Sequence, residues 1–474
     1  MFSKFPFFTL FILLFFTSCN TVTQQETYNR SSVTALSSIQ PSYFVKPDGS
    51  DRNNGFSSSS AFKNLQYAID MAKRTSIKTI IVIGTLELIN QTMRYNDKVL
   101  FGISDNGLND SKEILIKGLD NANENEKAIL SGIYSNNSIV FMSYGNCYVK
   151  FENIEITEGR GIAITSPSER ESPGIVTIGQ GTAIYNNQIG AFVSNGCKLI
   201  IDGGIIHGNK NTERDSSGTG ITVWEGGELI LTSGKIINNE SYNGGAIVVN
   251  EGGVFVMNGG FISNNYAKQL GGAIAISPRG KFLMTGGEIS NNYAEIEGGA
   301  IIVSGEFIME NGRIVNNHTK ESNGTNIDFS RFQDTDSWLH IYGGGGVSIR
   351  NGVFRMVNGE ISNNISYGFG GGVLINLAGT FIMEDGILSG NTAILGGGVF
   401  QNYGNFAKLR GIIYGQDASD ILRNNAVSNL SEKSGQAIFI WRYKPSLTIW
   451  EMNDTIIQAI NSINGNNVWE DYFR

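Results

Sequence analysis

Proline, basic charge and long apolar runs are all scarce in this chain of 474 residues. It contains 7 prolines against 60 glycines, a balance that argues against an ordinary helical or α/β domain and indicates many turns. Lysine and arginine total 35 against 43 acidic residues, for a net charge of -8, so no basic surface is expected and nucleic acid is excluded as an expected partner. The apolar run at residues 5–16 is too short to cross a bilayer as a permanent helix.

The N-terminal apolar run has the features of a targeting segment. Lys4 precedes it, and Thr17 and Ser18 lead into Cys19. The stretch "FTSC" resembles a bacterial lipoprotein signal, which implies that residues 1–18 are removed and that Cys19 carries the lipid. The alternative is a plain secretory signal cut nearby. Both predict export, and the lipid would anchor the protein at the bacterial outer membrane or cell surface. Residues 19–40 are expected to form a flexible tether.

A repeated unit of thirteen residues occupies the middle of the chain. The first position of the unit is glycine in most copies. The third position is Leu or Phe in most copies and Thr177 in the first, the tenth is Ile or Leu, and the last is asparagine. No insertion inside the unit is expected. The asparagine column consists of Asn187, Asn209, Asn239, Asn265, Asn292, Asn317, Asn364 and Asn391.

Each repeat is expected to contain three short strands. Two lie inside the thirteen-residue unit, and the third follows a Gly-Gly doublet, as in "GGAIAI" from Gly271. Alternating apolar and polar positions indicate one inward and one outward face for each strand. Three strands and three turns in about 26 residues predict an all-β fold, with each repeat forming one coil of a parallel β-helix that buries its neighbour.

The motifs of these coils resemble two related groups of proteins. The pattern is similar to right-handed parallel β-helices of the pectin-lyase-like superfamily. "FISN" at Phe261 and "GGAI" at Gly244, Gly271 and Gly298 resemble the FxxN and GGAI motifs of chlamydial polymorphic outer-membrane proteins. The resemblance covers about residues 130–410 and implies the fold. It does not imply one activity, since the superfamily holds both enzymes and adhesins.

The two ends of the predicted stack require covers because they are open sheet edges. Residues 41–75 are expected to cap the N-terminal end, with a strand at Tyr43–Val45 and a helix from Ala61 to Arg74. The β-helix is predicted for residues 76–415, and C-terminal coils with a cap for residues 416–474.

Several columns invite a functional interpretation but fit a structural one better. Five methionines recur at coil spacing beside the Phe column, which indicates core packing rather than metal ligation. The asparagines are expected to hydrogen-bond along their column at turns with positive φ. Cys147 and Cys197 are expected to lie two coils apart, about 9.6 Å, which is too far for a disulfide.

The regular coils offer little support for catalysis. Asp202 and Asp385 lie in distant coils, so the paired carboxylates of a glycoside hydrolase are not expected. His207 and His318 are expected at the surface near turns. The stretch "DGSDRNN" at 48–54 fits an Asx turn better than a calcium loop. No metal or cofactor is predicted.

All variation in coil length lies between the asparagine and the next glycine column. We call the part from the asparagine to the Gly-Gly doublet, such as "YAKQL" after Asn265, the arm. The arm is longest after Asn317, where residues 318–343 form an insertion, and a smaller excursion lies at 211–218. Loops on a rigid solenoid commonly carry function, although an insertion without a role is the alternative. The candidate binding residues of the insertion are Asp328, Arg331, Asp334, Asp336, Trp338, His340 and Tyr342.

The sequence therefore favours a lipoprotein at the cell surface or facing the periplasm that acts as a noncatalytic binding or adhesion scaffold. Its expected partners are the membrane, through the N-terminal lipid, and a host or cell-surface glycan or protein. A carbohydrate-active enzyme, either a polysaccharide lyase or a glycoside hydrolase, is the alternative.

Overall fold

The protein folds as a parallel β-solenoid, as seen in a computed structural model of the chain. The structure describes residues 41–87, 100–101, 113–132, 141–144, 148–166, 174–213, 218–320, 342–414, 419, 423–426, 438–441 and 458–460. These belong to one compact unit, Pro41–Arg474. The predicted signal, lipid site Cys19 and tether lie outside the described residues, as does Cys147.

The first and second strands of the coils share a sheet of 23 strands. In two coils they merge into single long strands, Lys198–His207 and Glu228–Ile237. The other first strands are Ser42–Val45, Thr79–Val82, Ile114–Lys117, Tyr148–Glu152, Ile175–Ile178, Val254–Met257, Lys281–Met284, Glu306–Met309, Val353–Met356, Thr380–Met383 and Asn405–Lys408. The other second strands are Thr85–Glu87, Ile129–Ser131, Glu155–Thr157, Ala183–Tyr185, Phe261–Ser263, Glu288–Ser290, Arg313–Val315, Glu360–Ser362, Ile387–Ser389 and Ile412–Ile413.

The third strands form a separate sheet of 13 strands. They are Leu100–Phe101, Phe141–Tyr144, Ile162–Thr165, Ala191–Val193, Ile221–Val223, Ile247–Val249, Ile274–Ile276, Ile301–Val303, Val347–Arg350, Val373–Asn376, Val399–Asn402, Ile438–Trp441 and Gln458–Ile460. The last of these pairs antiparallel with its neighbour, whereas the other pairings are parallel.

The arms contribute strands that the sequence did not predict. Five form a sheet of their own: Lys210–Asn211, Glu240–Asn243, Tyr266–Leu270, Tyr293–Ala294 and His318–Thr319. Thr392–Ala393 and Asn425–Ala426 form a further pair. The arm is therefore a fourth strand in these coils rather than a loop.

The core is built from stacked identical side chains. Phe255, Phe282, Phe307, Phe354 and Phe381 are buried, and their rings stack at centroid distances of 4.5 to 4.9 Å. The five methionines two residues further on are fully buried beside them. The prediction that both columns pack in the core is confirmed.

One register prediction was wrong. Val176, not Thr177, pairs with Leu199 and is buried, and Thr177 faces outward. The second strands nevertheless align as expected, with Ile184 beside Ile206. This coil therefore contains one extra residue between its first and second strands. The sequence does not reveal it, because Val176 and Thr177 are both β-branched and either one fits a strand position.

The N-terminal helix is shorter than predicted. It spans Leu65–Arg74 because Asn64 is extended and its side chain accepts a hydrogen bond from the Gln66 N–H, capping the helix. Phe62 instead forms a β-bridge with Val45. The helix nevertheless buries the expected apolar face against the first strands. A short 3₁₀ turn at Ser58–Ser60 precedes it.

The Gly-Gly doublets allow the backbone of one coil to approach the next. Gly271 has φ of +65°, which side chains rarely adopt. A Cβ on Gly272 would lie 2.1 Å from the Gly299 carbonyl oxygen in the following coil. The doublet is thus required by close stacking of coils.

Candidate functional site

The asparagine column forms a continuous ladder of buried amides. The Asn265 Nδ2 donates to Asn292 Oδ1 at 2.9 Å and to the carbonyls of Ile236 and Ser263, while its Oδ1 accepts from the backbone N–H of Asn239. Equivalent contacts link all eight columnar asparagines, each of which is at most 2% exposed. Asparagine or glycine with positive φ precedes each one, as at Asn264. Because the donors are used within the ladder, this column has a structural role.

The ladder extends one coil further than the sequence indicated. Asn424 Oδ1 accepts from the Asn391 backbone N–H at 2.9 Å. The longer spacing from Asn391 to Asn424 hid this coil. The doublet Asn424-Asn425 also differs from the others, because the ladder uses its first asparagine and not its second.

An aromatic ladder lies on the outside of the arm sheet, directly after the asparagines. The Tyr266 and Tyr293 rings stack at 5.4 Å, and the Tyr293 and His318 rings at 4.8 Å. All three rings are half-buried. The strand pairing that aligns Tyr266, Tyr293 and His318 places them one above another, so the repeat itself creates the ladder.

Charged and polar side chains surround this ladder. The Tyr266 hydroxyl donates to the Glu295 carboxylate, which also pairs with Lys320 Nζ at 3.2 Å. Gln269 Nε2, on the strand of Tyr266, donates at 2.6 Å to the hydroxyl of Tyr242 in the coil before, and Lys268 Nζ lies 6.0 Å from the Tyr242 ring centroid. We call the following set the arm face: Tyr242, Tyr266, Lys268, Tyr293, Glu295, His318 and Lys320.

The ionisation of the arm face follows from its contacts. The hydrogen bond from Tyr266, together with Lys320, lowers the pKa of Glu295 and keeps it charged. Burial, followed by the Glu295 contact, raises the pKa of Tyr266, and burial raises that of Tyr293. Burial lowers the pKa of His318, so this imidazole is neutral at pH 7. The face therefore presents neutral ring edges between an anion and two ammonium groups.

The arm face adjoins the start of the insertion. His318 and Thr319 form the last strand of the arm sheet, and Lys320 follows them. Tyr342, at the far end of the insertion, is 47% exposed. The other candidates, Asp328, Arg331, Asp334, Asp336, Trp338 and His340, lie outside the described residues, as do residues 214–217 of the smaller excursion. The arm face itself was missed in the sequence, although the recurrence of Tyr or His after the asparagine doublets was the signal.

A buried polar cluster lies at the end of the same arms. Glu297 is fully buried, and its carboxylate accepts from Ser348 Oγ at 2.5 Å and pairs with Arg350 and Asn376. Burial raises the pKa of Glu297, and the Arg350 charge opposes that effect. Because protein donors occupy the carboxylate and no surface of it reaches solvent, the cluster ties the arm to the third strands rather than presenting a reactive acid.

The two described histidines are not simple surface residues. His207 stacks on Tyr185 at 5.1 Å and His318 on Tyr293, and burial lowers the pKa of each imidazole. The expectation of a surface position was therefore wrong in part, because the coil repeat brings an aromatic neighbour beside each ring.

In residues 48–54, the side chains of Asp51, Asn53 and Asn54 bind the backbone of their own cap, whereas Asp48 pairs with Lys46. Asp51 Oδ1 accepts from the backbone N–H groups of Lys63 and Asn64, and Asn54 Oδ1 accepts from that of Phe56. The Asn54 contact is an Asx turn. Within the part of the chain that the structure describes, no three potential ligand side chains cluster as a metal site.

Cys197 is a buried free thiol whose pKa is raised by burial. None of the described helices has the length and apolar character needed to cross a membrane.

These features define the class of the protein as a parallel β-solenoid whose corners are structural and whose arms carry exposed, chemically varied side chains. Searches of protein-family models, curated proteins and solved structures find no match to this chain. The assignment of class rests on the coil geometry.

Proposed function

We propose that this chain is a noncatalytic binding scaffold of the cell surface and that the arm face is its binding surface. The observation that carries the proposal is the ladder Tyr266–Tyr293–His318, set among charged groups at the base of the insertion. Aromatic and charged side chains in half-exposed rows on a rigid frame are typical of recognition surfaces.

The ladder favours a polar ligand. Neighbouring rings cover one another's faces, so a ligand meets mainly ring edges and hydroxyl groups together with Glu295, Lys268 and Lys320. These groups donate and accept hydrogen bonds, and they suit the hydroxyl groups of a glycan better than an apolar surface. A cell-surface glycan is therefore the first ligand to test, and a host or cell-surface protein is the second.

The proposed location follows from the N-terminus. The lipoprotein-type "FTSC" stretch supports export with a lipid on Cys19, and the membrane is then the partner of that lipid. Resemblance to pectin-lyase-like β-helices and to chlamydial polymorphic outer-membrane proteins is consistent with a surface adhesin, and remains part of the proposal.

The alternative of a carbohydrate-active enzyme rests on the carboxylates of the insertion. Asp334, Asp336 and Arg331 would have to meet acidic or basic partners from neighbouring coils for this activity. The buried cluster around Glu297 does not favour it, since its carboxylate is already bound by protein donors.

Deletion of residues 321–341 tests the contribution of the insertion. It joins Lys320 to Tyr342 and gives this arm the length of the preceding one, Tyr293–Gly298, because Gly343 pairs with Glu297. We expect the deletion variant to fold normally and to lose binding on a glycan array that retains the intact chain. Binding unchanged by deletion would exclude a role for the insertion. A parallel screen for polysaccharide degradation, with product release by the intact chain only, would favour the enzyme.

A further inference from the structure

The outward face of the first strands carries an apolar stripe that the proposed function does not use. Its residues occupy the same position in five successive coils, are paired by strand register, and are partly exposed: Ile200, Ile230, Val256, Leu283 and Ile308. Thr177 lies before the stripe and Arg355 after it. Five consecutive aliphatic side chains on an outward sheet face are unusual, because that face is normally polar.

A charged column flanks the stripe two residues earlier in each strand. Its members, in coil order, are Ile175, Lys198, Glu228, Val254, Lys281, Glu306 and Val353. Within the chain, Lys198 Nζ lies 2.6 Å from Glu228 Oε2, and Lys281 Nζ lies 3.4 Å from Glu306 Oε2. All four charged side chains are partly exposed, so they also face any partner that covers the stripe.

The charges of this column are complementary to those of the same column read in the opposite coil order, with Val254 at the centre. Reversing the coil order places Lys198 opposite Glu306, Glu228 opposite Lys281, and Ile175 opposite Val353. The stripe reverses in the same way, with Ile200 opposite Ile308, Ile230 opposite Leu283, and Val256 opposite itself. This relation is that of two copies facing each other across a two-fold axis that runs along the strands, the symmetry of an isologous dimer.

We propose that a second copy of this chain packs antiparallel on the stripe, with the two-fold axis at Val256. The facing sheets would lie about 10 Å apart, the usual separation of packed sheets. The contact would span six coil rises, about 29 Å. Four interchain pairs of opposite charge would flank the buried aliphatic side chains.

Two symmetry-related pairs of like charge oppose the dimer. Asp202 and Glu310, two residues beyond the stripe, would face each other as like charges. Both side chains are exposed and lie next to the corner at which the coil turns into its second strand, where Gly203 and Gly312 have positive φ. At that rim, solvent and salt screen the repulsion.

Charge reversal in half of the column tests the proposal without disturbing the ion pairs inside the chain. The variant Lys281→Glu/Glu306→Lys retains its internal pair but places like charges opposite each other in the dimer. The variant Lys198→Glu/Glu228→Lys does the same in the other half. In sedimentation equilibrium of the full-length chain in mild detergent, we expect dimers of the unchanged chain and at least about tenfold weaker self-association of each variant.

The decisive observation is the mixture of the two variants. In a heterodimer of the two variants, every lysine of the column again faces a glutamate of the other copy. The mixture is therefore expected to form heterodimers with the affinity of the unchanged chain. A monomeric unchanged chain would overturn the proposal, as would dimers insensitive to both reversals or a mixture that fails to associate.

A second pair of variants tests the apolar stripe. Val256→Asp brings two carboxylates together at the two-fold axis and should abolish dimers. Ile387→Asp, a matched change on the exposed face of a second strand, should leave them intact. If both variants lose dimers equally, or if neither variant loses them, the placement of the interface is contradicted.

Discussion

At the scale of single residues, the asparagine column shows how a conspicuous motif can be entirely structural. Asn292 accepts from the Asn265 backbone N–H and donates to Asn317 Oδ1 and to the Ile262 and Ser290 carbonyls. Every polar atom of its side chain is therefore bound inside the molecule, and none is left for a ligand.

Replacement of Asn292 should destabilise the solenoid. Asn292→Ala removes the acceptor of the Asn265 backbone N–H and the donor to the Ile262 and Ser290 carbonyls, which we expect to cost about 3 kcal/mol in the free energy of unfolding. Denaturant unfolding followed by circular dichroism measures this loss. The control is Asn291→Gly at the preceding positive-φ position, which should change stability by less than about 1 kcal/mol. Similar losses for both variants would contradict the account of the ladder.

The His318 imidazole gives a pH-dependent prediction. Burial lowers its pKa in the folded state, so the unfolded chain binds the proton more readily. Stability contributed by neutral His318 is therefore complete above about pH 6.5, the pKa of an exposed histidine, and falls as the pH drops through the folded pKa. Titration by NMR, with His318→Gln to assign the resonance, should place its midpoint below 6.5. A midpoint at or above that value would refute the buried stacking.

At the scale of elements, the sequence predicted the features whose side chains repeat in a clear pattern and missed those without one. The three main strands, the Phe and Met columns and the asparagine corners follow from side-chain periodicity. The arm strands were missed because "YAKQL" in Tyr266–Leu270 lacks a clean alternation and takes its strand form from the neighbouring coils. Asn424 was hidden by a longer coil, and Val176 by an extra residue at a corner.

The Glu297–Arg350 pair could not be predicted for a different reason. The two residues are 53 positions apart and are separated by the insertion. Their contact depends on the register of the arm ends, in which Glu297 pairs with Gly343. A contact that depends on tertiary placement in this way produces no periodic pattern in the sequence.

The Glu297–Arg350 pair predicts how substitutions at the end of the arm change the stability of the protein. Arg350→Leu leaves the fully buried Glu297 carboxylate without its main opposing charge, and we expect a loss of about 3–5 kcal/mol in stability. The double change Glu297→Leu/Arg350→Leu should recover most of that loss, since neither charge then remains buried. Denaturant midpoints of the single and double variants form the test. No recovery in the double variant would show that packing, not charge burial, dominates.

At the scale of the whole molecule, the solenoid separates stability from recognition. Core columns and corners are repeated and internally satisfied, whereas the arm face is half-exposed and differs from coil to coil. This division allows side chains on the arms to change without altering the frame that positions them. A dimer through the first strands would use a different set of residues, so two copies could present two arm faces.

The most direct measurement compares matched changes on two faces of the same frame. The arm variant Tyr266→Ser/Tyr293→Ser removes two half-buried aromatic rings of the ladder. The control Phe261→Ser/Ile387→Ser removes two exposed apolar side chains of the second strands. Binding of each purified variant is measured against the glycans or cells that retain the unchanged chain, after circular dichroism confirms equal folding. We expect the arm variant to bind at least about tenfold more weakly, because about 1.4 kcal/mol of contact corresponds to that factor, and the control to bind as the unchanged chain does. Loss confined to the control, or equal binding by both variants, would contradict the assignment of recognition to the arm face.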